Sequence, residues 1–188
     1  MTTINSCSAQ LSLSNARMDL AAALARPKAV VLLAALAELK CDFSRDRIRL
    51  VECGPSLGNG GFTPTNGSVL LCRNHLRHQR LLEDTVVHEL VHVYDHCRQL
   101  HGKPLDPSDC VQSACTEVRA AALSGDCEWK QELLRGQLRN LAPGGERRCA
   151  RRRATLSVAL NPQCGPRRAK QAVNAVFNDC VRDRAPFT

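Results

Sequence analysis

The sequence lacks an apolar run long enough to cross a membrane. Its longest strongly apolar stretch, Ala29 to Ala37, is closed by Glu38 and Lys40, whereas a membrane-spanning helix needs about 20 consecutive apolar residues. The N-terminus also lacks the charged region, apolar region and small-residue cleavage site of a secretory signal. We therefore expect a buried helix at this stretch and no cleaved secretory signal.

Paired CxxC motifs are also absent, although the chain contains 11 cysteines. This excludes the local zinc clusters of fingers and ribbons. Cysteines dispersed along the whole chain favour long-range disulfides in an oxidising compartment, and the odd number leaves at least one thiol free or intermolecular, for which Cys7 is the candidate. The alternative is that most are small buried residues in a reducing cytosol. The mitochondrial intermembrane space reconciles disulfides with a missing secretory signal.

Positive charge is concentrated towards the C-terminus. From Arg135 onward there are 12 Lys and Arg against 3 Asp and Glu. The densest part consists of five arginines: Arg147, Arg148, Arg151, Arg152 and Arg153. Such a cluster can contact anionic lipid or nucleic acid through nonspecific electrostatics. The alternative is a solvated loop or helix face.

The spacing of apolar residues predicts a mostly helical chain with one small sheet. Helical periodicity recurs in residues 16–39 (interrupted at Pro27), about 80–100, 110–123, about 127–141 and 167–181. Alternation predicts strands at 48–53 and 68–72, with a glycine-rich loop between them. Ser108 or Asp109 is expected to cap the helix from Cys110. We predict an α+β fold in one domain of residues 1–188, ending in the basic, cysteine-containing segment 142–188.

The motif His88-Glu89-Leu90-Val91-His92 lies in one of the predicted helices. Residues i and i+4 share a helix face, so His88 and His92 can offer two imidazole nitrogens to one Zn²⁺. Glu89 lies beside them, where it can accept a proton as a general base. In zincins, the strand before this helix is the sheet edge to which a peptide substrate adds. We predict a zincin-like metallopeptidase, against the alternative of two packing or solvent-facing histidines.

Catalytic zinc usually has three protein ligands, and Glu117 is the predicted third. It lies 25 residues after His92, on the next predicted helix. Asp95 is an alternative, but about 10.5 Å of helical rise separates it from His88, so we expect it instead to fix the tautomer of His92. Asp109 stays a further alternative. His96, one turn beyond His92, is interpreted as a residue that packs the helix or supports the ligands.

Longer blocks around the motif resemble a known family. The segment from His88 to Arg98 is similar to the signature of the mitochondrial inner-membrane ATP synthase-processing metalloproteases, whose human relative has also been named as a Ku-binding protein. Further similar blocks, in the same order, are residues 60–62, 69–74, 114–121, 123–127 and 178–187. The resemblance covers about residues 38–188, and the helical segment 1–37 has only weak family character.

The resemblance implies a soluble zinc protease in the intermembrane space, peripheral to the inner membrane and oxidised after import. It implies that the protein matures the precursor of a hydrophobic ATP synthase subunit and helps to assemble that subunit, the second role not needing Glu89. His88 and His92 are carried over as metal ligands and Glu89 as the catalytic residue. Asp95, Glu117 and Asp126 also lie in family blocks, and we expect Asp95 and Asp126 to support the ligands.

Two functions of different classes are therefore in contention. One is a zinc endopeptidase that acts on a hydrophobic inner-membrane protein, without nucleic acid as a partner. The other is a zinc-stabilised chaperone or assembly factor, or a nuclear DNA-repair adaptor that uses the basic segment, with proteolysis dispensable. Glu89 favours the peptidase, because an adaptor does not need an acid–base group beside a metal.

Overall fold

The computed structural model describes residues 20–55 and 57–187 as a mostly helical chain with one small sheet. Residues 20–24 are helical, and the α-helices that lie wholly in this part are α1 (Pro27–Glu38), α2 (Gln79–Cys97), α3 (Cys110–Leu123), α4 (Trp129–Leu134), α5 (Gly145–Leu160) and α6 (Gly165–Cys180). Short 3-10 helices span Arg45–Arg47, Leu100–Gly102 and Leu138–Leu141. The strands are β1 (Ile48–Val51), β2 (Gly60–Thr63) and β3 (Ser68–Cys72). The predicted α+β class, mostly helical, is confirmed.

The sheet has the order β1-β3-β2, so β3 is its centre. β3 runs parallel to β1, with Ile48 opposite Val69, and antiparallel to β2, with Gly60 opposite Leu71. The alternation of apolar residues predicted β1 and β3, and the bounds predicted for β3 are those observed. The predicted loop was wrong at β2, because two of its four residues are glycines, which carry no strand signal. The strand that precedes α2 is β3, the central one, and the edge strands are β1 and β2.

Two apolar cores meet at α3. The first lies between α1, α2 and the sheet, and α3 contributes Ala120 and Leu123 to it. The second lies between α3, α5 and α6, and receives Ala114 and Val118 from α3. Because α3 packs into both cores, the side chains on it are fixed relative to α2.

The interruption of the N-terminal helix at Pro27 is also observed, while residues 16–19 lie outside the described part.

Five disulfides connect elements that are distant in sequence, which confirms the disulfide prediction. They are Cys41–Cys97, Cys53–Cys72, Cys110–Cys164, Cys115–Cys180 and Cys127–Cys149. Their sequence separations range from 19 to 65 residues, and in the chain-entropy model each loop of this size stabilises the fold by about 3–4 kcal/mol. Cys7, the candidate unpaired thiol, lies outside the described residues.

The predicted helix over 127–141 is wrong. Only α4 and the 3-10 helix Leu138–Leu141 form there, separated by Gly136 at φ +69°. Glycine adopts this left-handed conformation without the Cβ penalty of other residues, so it ends a helix readily. The chain reverses at this point and forms a short hairpin.

Helix α5 was not predicted, because its arginines were interpreted as a charged cluster. Buried Ala150, Ala154 and Val158 recur at every fourth position along it, which is a helical signal. The five arginines also have partners within the protein. Arg152 pairs with Glu132, Arg153 with Asp126, Arg147 with Asn178, Arg151 with Asn174, and Arg148 with the carbonyl oxygens of Pro143 and Arg139. The cluster is therefore more than a solvated face.

Candidate metal centre

Three side chains predicted as metal ligands converge at one point. His88 and His92 lie one turn apart on α2, with ring centroids 4.8 Å apart. Glu117 reaches them from α3, with Oε2 at 3.4 Å from Nε2 of His88 and Oε1 at 3.6 Å from Nε2 of His92. One ligand atom from each residue lies within 4.8 Å of the others. The site thus joins α2 to α3, the helix that packs into both cores.

The donor set fits a metal ion. Two imidazoles and one carboxylate are a combination that three-ligand catalytic metal sites use. Oε2 of Glu117 is buried and has no hydrogen bond of good geometry among the described residues, although Nε2 of His88 lies 3.4 Å away. Leaving a buried charged oxygen unpaired is costly, and a cation between the three side chains would remove that cost.

The environment of the three groups sets their protonation. Burial raises the pKa of Glu117, but the charges of His92 and His88 outweigh burial and lower this pKa to about 2. Burial lowers the pKa of His92 to about 4. Burial also lowers the pKa of His88, but hydrogen bonding and attraction to Glu117 raise it to about 9. Glu117 and His92 are therefore in their ligating forms at neutral pH, and a bound cation would displace the proton of His88.

A hydrogen-bonded chain fixes which nitrogen of His92 carries its proton. The hydroxyl of Thr116 donates to Oδ2 of Asp95 at 2.8 Å and lies 2.9 Å from Nδ1 of His92. Because its only proton is committed to Asp95, Thr116 must accept from Nδ1–H of His92. Nε2 is left with its lone pair directed at the candidate metal position. Asp95 is thus placed to set the tautomer of His92, through Thr116 and not by direct contact.

Two arginines hold Asp95 in place. Arg119, fully buried on α3, donates from Nε to both carboxylate oxygens at 3.0 Å. Arg98 donates to Oδ1 of Asp95 at 2.9 Å and to Oδ2 of Asp183 at 2.6 Å. Arg119 also donates to the carbonyl oxygen of Ala185 at 2.6 Å. The C-terminal segment is therefore connected to His92 through a buried network of charges.

Glu89 is buried beside the three candidate ligands. It is 4% exposed, and its carboxylate accepts a hydrogen bond from the backbone N–H of Phe62 on β2. A Cβ at Gly60 would stand 2.9 Å from the carbonyl oxygen of Leu70 and 3.1 Å from Oε1 of Glu89, so glycine leaves room for this carboxylate. Burial raises the pKa of Glu89 to about 7. A carboxyl group with this pKa can accept and return a proton near neutral pH.

A cleft of about 450 Å³ opens over the site between β2 and the C-terminal part of α5. It adjoins a smaller cavity of about 150 Å³ that contains Asp84, Asp126 and Arg153. Six residues line both: Gly58, Gly60, His88, Glu89, Ser157 and Leu160. We therefore treat them as one cleft with two lobes, with the candidate ligands on its floor.

The other candidate residues lie at the edge of the site or away from it. Asp126 lines the smaller lobe, where its carboxylate accepts from Arg135 and Arg153, and its charge contributes to raising the pKa of His88. Asp109 caps α3 by accepting from the N–H groups of Val111 and Gln112. His96 packs edge-on against the ring of Phe62. Asp109 therefore has its own hydrogen-bond partners at the start of α3.

The geometry of the candidate site agrees with the protein family whose sequence model matches this chain. The sequence model of the Peptidase M76 family covers residues 14–188. The chain belongs to the Peptidase M76 family. The match begins ahead of residue 38, so it includes part of the N-terminal segment that the resemblance had left weakly covered.

Curated relatives of this M76 chain carry the name mitochondrial inner membrane protease ATP23. The relative from Aspergillus fumigatus is 42% identical over 80% of this chain and 61% of its own length. That from Yarrowia lipolytica is 43% identical over 68% and 49%, and that from Schizosaccharomyces pombe is 34% identical over 86% and 84%. The chain thus spans between about half and three-fifths of the first two relatives. No solved structure matches it.

Sequence reasoning missed several residues of the candidate site. Thr116 and Arg119 lie in a helix of small apolar residues, and a polar or charged side chain that interrupts such a buried face is the signal that could have found them. The backbone of Phe62 left no signal in the sequence, because every residue other than proline carries an N–H group.

Among residues 20–55 and 57–187, no helix combines the length and apolar character that crossing a membrane requires.

Proposed function

We propose that this protein is a zinc-dependent endopeptidase. The observation that carries the proposal is the convergence of His88, His92 and Glu117 beside the buried carboxylate of Glu89. Two histidines and a carboxylate suit catalytic zinc, which keeps a further position for water or substrate. Membership of a peptidase family supports the same reaction.

The residues of the site have distinct roles in this proposal. His88, His92 and Glu117 would hold zinc, and Asp95 would keep His92 in the ligating tautomer through Thr116. When bound, zinc supplies a Lewis acid that polarises the scissile carbonyl and acidifies water. Glu89 takes the proton of the attacking water and delivers it to the leaving amine, a double role that suits its pKa of about 7.

The walls of the cleft support an extended, apolar peptide as the substrate. β2 is an edge strand that borders the cleft, so a substrate strand can add to it by main-chain hydrogen bonds. Apolar side chains line the larger lobe: Leu57, Phe62, Leu105, Val158 and Leu160. Apolar walls favour substrate side chains of the same character, as in a precursor of a membrane subunit.

The relatives and the disulfides together support a location for this activity. The relatives are named as proteases of the mitochondrial inner membrane, and five disulfides need an oxidising compartment. We therefore propose that the protein lies in the intermembrane space, peripheral to the inner membrane. There it would process the precursor of a hydrophobic ATP synthase subunit and assist the assembly of that enzyme.

Removal of the metal tests the proposed reaction. The purified protein should cleave a reporter peptide built from apolar residues, lose this activity after dialysis against a chelator, and recover it with one equivalent of zinc. Cleavage is followed by mass spectrometry, and a serine-protease inhibitor serves as a control without effect. Full activity in protein shown to be metal-free would contradict the proposal.

Replacing Thr116 with valine tests the chain that orients His92. The substitution keeps the shape but removes the hydroxyl, so zinc affinity should fall about 10–100-fold, as for other partners of metal ligands. Competition with a zinc-binding dye measures the affinity. Thr116→Ser should restore it, because serine has the same hydroxyl.

The matched control is Thr155→Val on α5. The hydroxyl of Thr155 donates to the carbonyl oxygen of Arg151, away from the site, so this variant should bind zinc like the unmodified protein. Unchanged zinc affinity in Thr116→Val would rule out the orienting role. Equal losses in Thr116→Val and Thr116→Ser would rule it out as well.

A further inference from the structure

An apolar hairpin projects from the second half of the chain. It consists of residues 129–141, that is α4, the turn at Gly136 and the 3-10 helix Leu138–Leu141. Five of its large apolar side chains are exposed: Trp129 (58%), Leu133 (47%), Leu134 (75%), Leu138 (65%) and Leu141 (41%). Single exposed leucines are ordinary, but a group of this size on 13 residues marks an interaction surface.

A buried polar centre keeps the leucines on the outside. Glu132, fully buried, accepts from Arg135 at 2.9 Å, from Arg152 at 2.8 Å and from Asn140. These bonds join both arms of the hairpin to α5. Because the polar residues occupy the inner side, the apolar side chains cannot fold inward without breaking a buried ionic network.

The charges on the surface of the hairpin are positive. Lys130 and Arg139 are exposed, whereas Glu132, the acidic residue within 129–141, is buried and paired. The neighbouring Glu128 is paired with Arg80 at 2.8 Å. Exposed leucines flanked by lysine and arginine, with a tryptophan beside them, are typical of helices that lie in the interface of an anionic membrane.

We propose that the hairpin 129–141 docks the protein on an anionic phospholipid bilayer. Leu134 and Leu138 enter the acyl boundary, Trp129 lies at headgroup level, and Lys130 and Arg139 contact lipid phosphates. The inference rests on the proposed peripheral location, and it does not depend on peptide cleavage.

Docking through this hairpin brings the cleft to the membrane. Gln131 on α4 donates to Asp84 at 3.0 Å, and Arg135 pairs with Asp126. Both aspartates line the smaller lobe of the cleft beside His88. A bilayer under the hairpin therefore lies near the site, where a segment of a hydrophobic membrane protein can enter directly.

The single tryptophan of the chain, Trp129, reports the docking. With vesicles of phosphatidylcholine and phosphatidylglycerol, its emission should shift to the blue and the zinc-loaded protein should co-sediment. Binding should weaken with added salt and on pure phosphatidylcholine.

Leu134→Ser combined with Leu138→Ser should lower the vesicle partition coefficient at least about tenfold, because two exposed leucines no longer insert. Lys130→Gln with Arg139→Gln should lower it about tenfold on anionic vesicles.

Matched controls remove exposed apolar side chains or exposed positive charges elsewhere on the protein. Val30→Ser with Val111→Ser removes apolar side chains that are 47% and 49% exposed, and Arg45→Gln with Arg49→Gln removes two exposed charges. Both should bind vesicles normally. The proposal is overturned if the wild-type protein does not bind, or if the hairpin variants bind equally well. If the wild-type protein does not bind vesicles but forms a dimer that the leucine variant loses, the hairpin contacts a second copy of the chain. This result would also overturn the proposal. Peptide cleavage enters none of these measurements, so this failure is separate from failure of the peptidase proposal.

Discussion

Replacing Glu89 with glutamine should lower peptide hydrolysis by about 10²–10⁴-fold, the usual contribution of a general base. The amide keeps the size and the hydrogen bond from Phe62, but it cannot take a proton. Zinc stoichiometry should stay at one, because Glu89 is not among the three convergent ligands. Cleavage rates of the apolar reporter peptide and metal analysis of the same preparation measure both quantities.

The control for this substitution is Glu146→Gln at an exposed position near the start of α5. It removes the same charge and should leave both cleavage and zinc content unchanged. Full proteolytic activity of Glu89→Gln would contradict the mechanism. Loss of zinc in that variant would instead make Glu89 a ligand, which also contradicts it. If Glu89→Gln retained an assembly role in cells, the two roles implied by the family resemblance would be separable.

Replacing Glu117 with alanine should reduce zinc affinity by more than about 100-fold, beyond the 10–100-fold range of residues that only support ligands. The substitution removes the one anionic member of the donor set, and it leaves two imidazoles 4.8 Å apart without a third group. Competition with a zinc-binding dye gives the affinity, and peptide cleavage should fall with zinc occupancy.

Glu52→Ala provides the comparison, since Glu52 is exposed in the loop after β1 and pairs with half-buried Arg73, away from the candidate ligands. Its zinc affinity should equal that of the unmodified protein. An unchanged zinc content of Glu117→Ala would exclude Glu117 as the third ligand. The choice would then return to Asp95 or Asp109, both of which have other hydrogen-bond partners in the structure.

Much of the site was predictable because it depends on local geometry. The spacing of His88 and His92 on a helix fixes their shared face, and α2 was predicted within a few residues of its bounds. Glu117 could be chosen because a carboxylate on the next helix can approach the first. The structure brings these three groups together, with one ligand atom of each within 4.8 Å of the others. Whether they bind zinc stays a prediction.

The remainder depends on contacts between distant parts of the chain. β2 gave no strand signal because glycines occupy half of it, yet it forms the cleft edge and its backbone holds Glu89. The path from His92 through Thr116 to Asp95 needs the packing of α2 on α3, which no local pattern contains. Asp183 joins that network from 85 residues beyond Arg98. Side-chain pairs at such separations follow from the tertiary fold alone.

The central claim is that His88, His92 and Glu117 hold one catalytic zinc. X-ray absorption at the zinc edge of the loaded protein tests it most directly, because it identifies the atoms around the metal. We expect two imidazole nitrogens at about 2.0–2.1 Å and carboxylate or water oxygens at about 2.0–2.2 Å. The cysteines that the structure pairs in five disulfides should contribute no ligand. Sulfur at about 2.3 Å, or a shell without imidazole, would contradict the account.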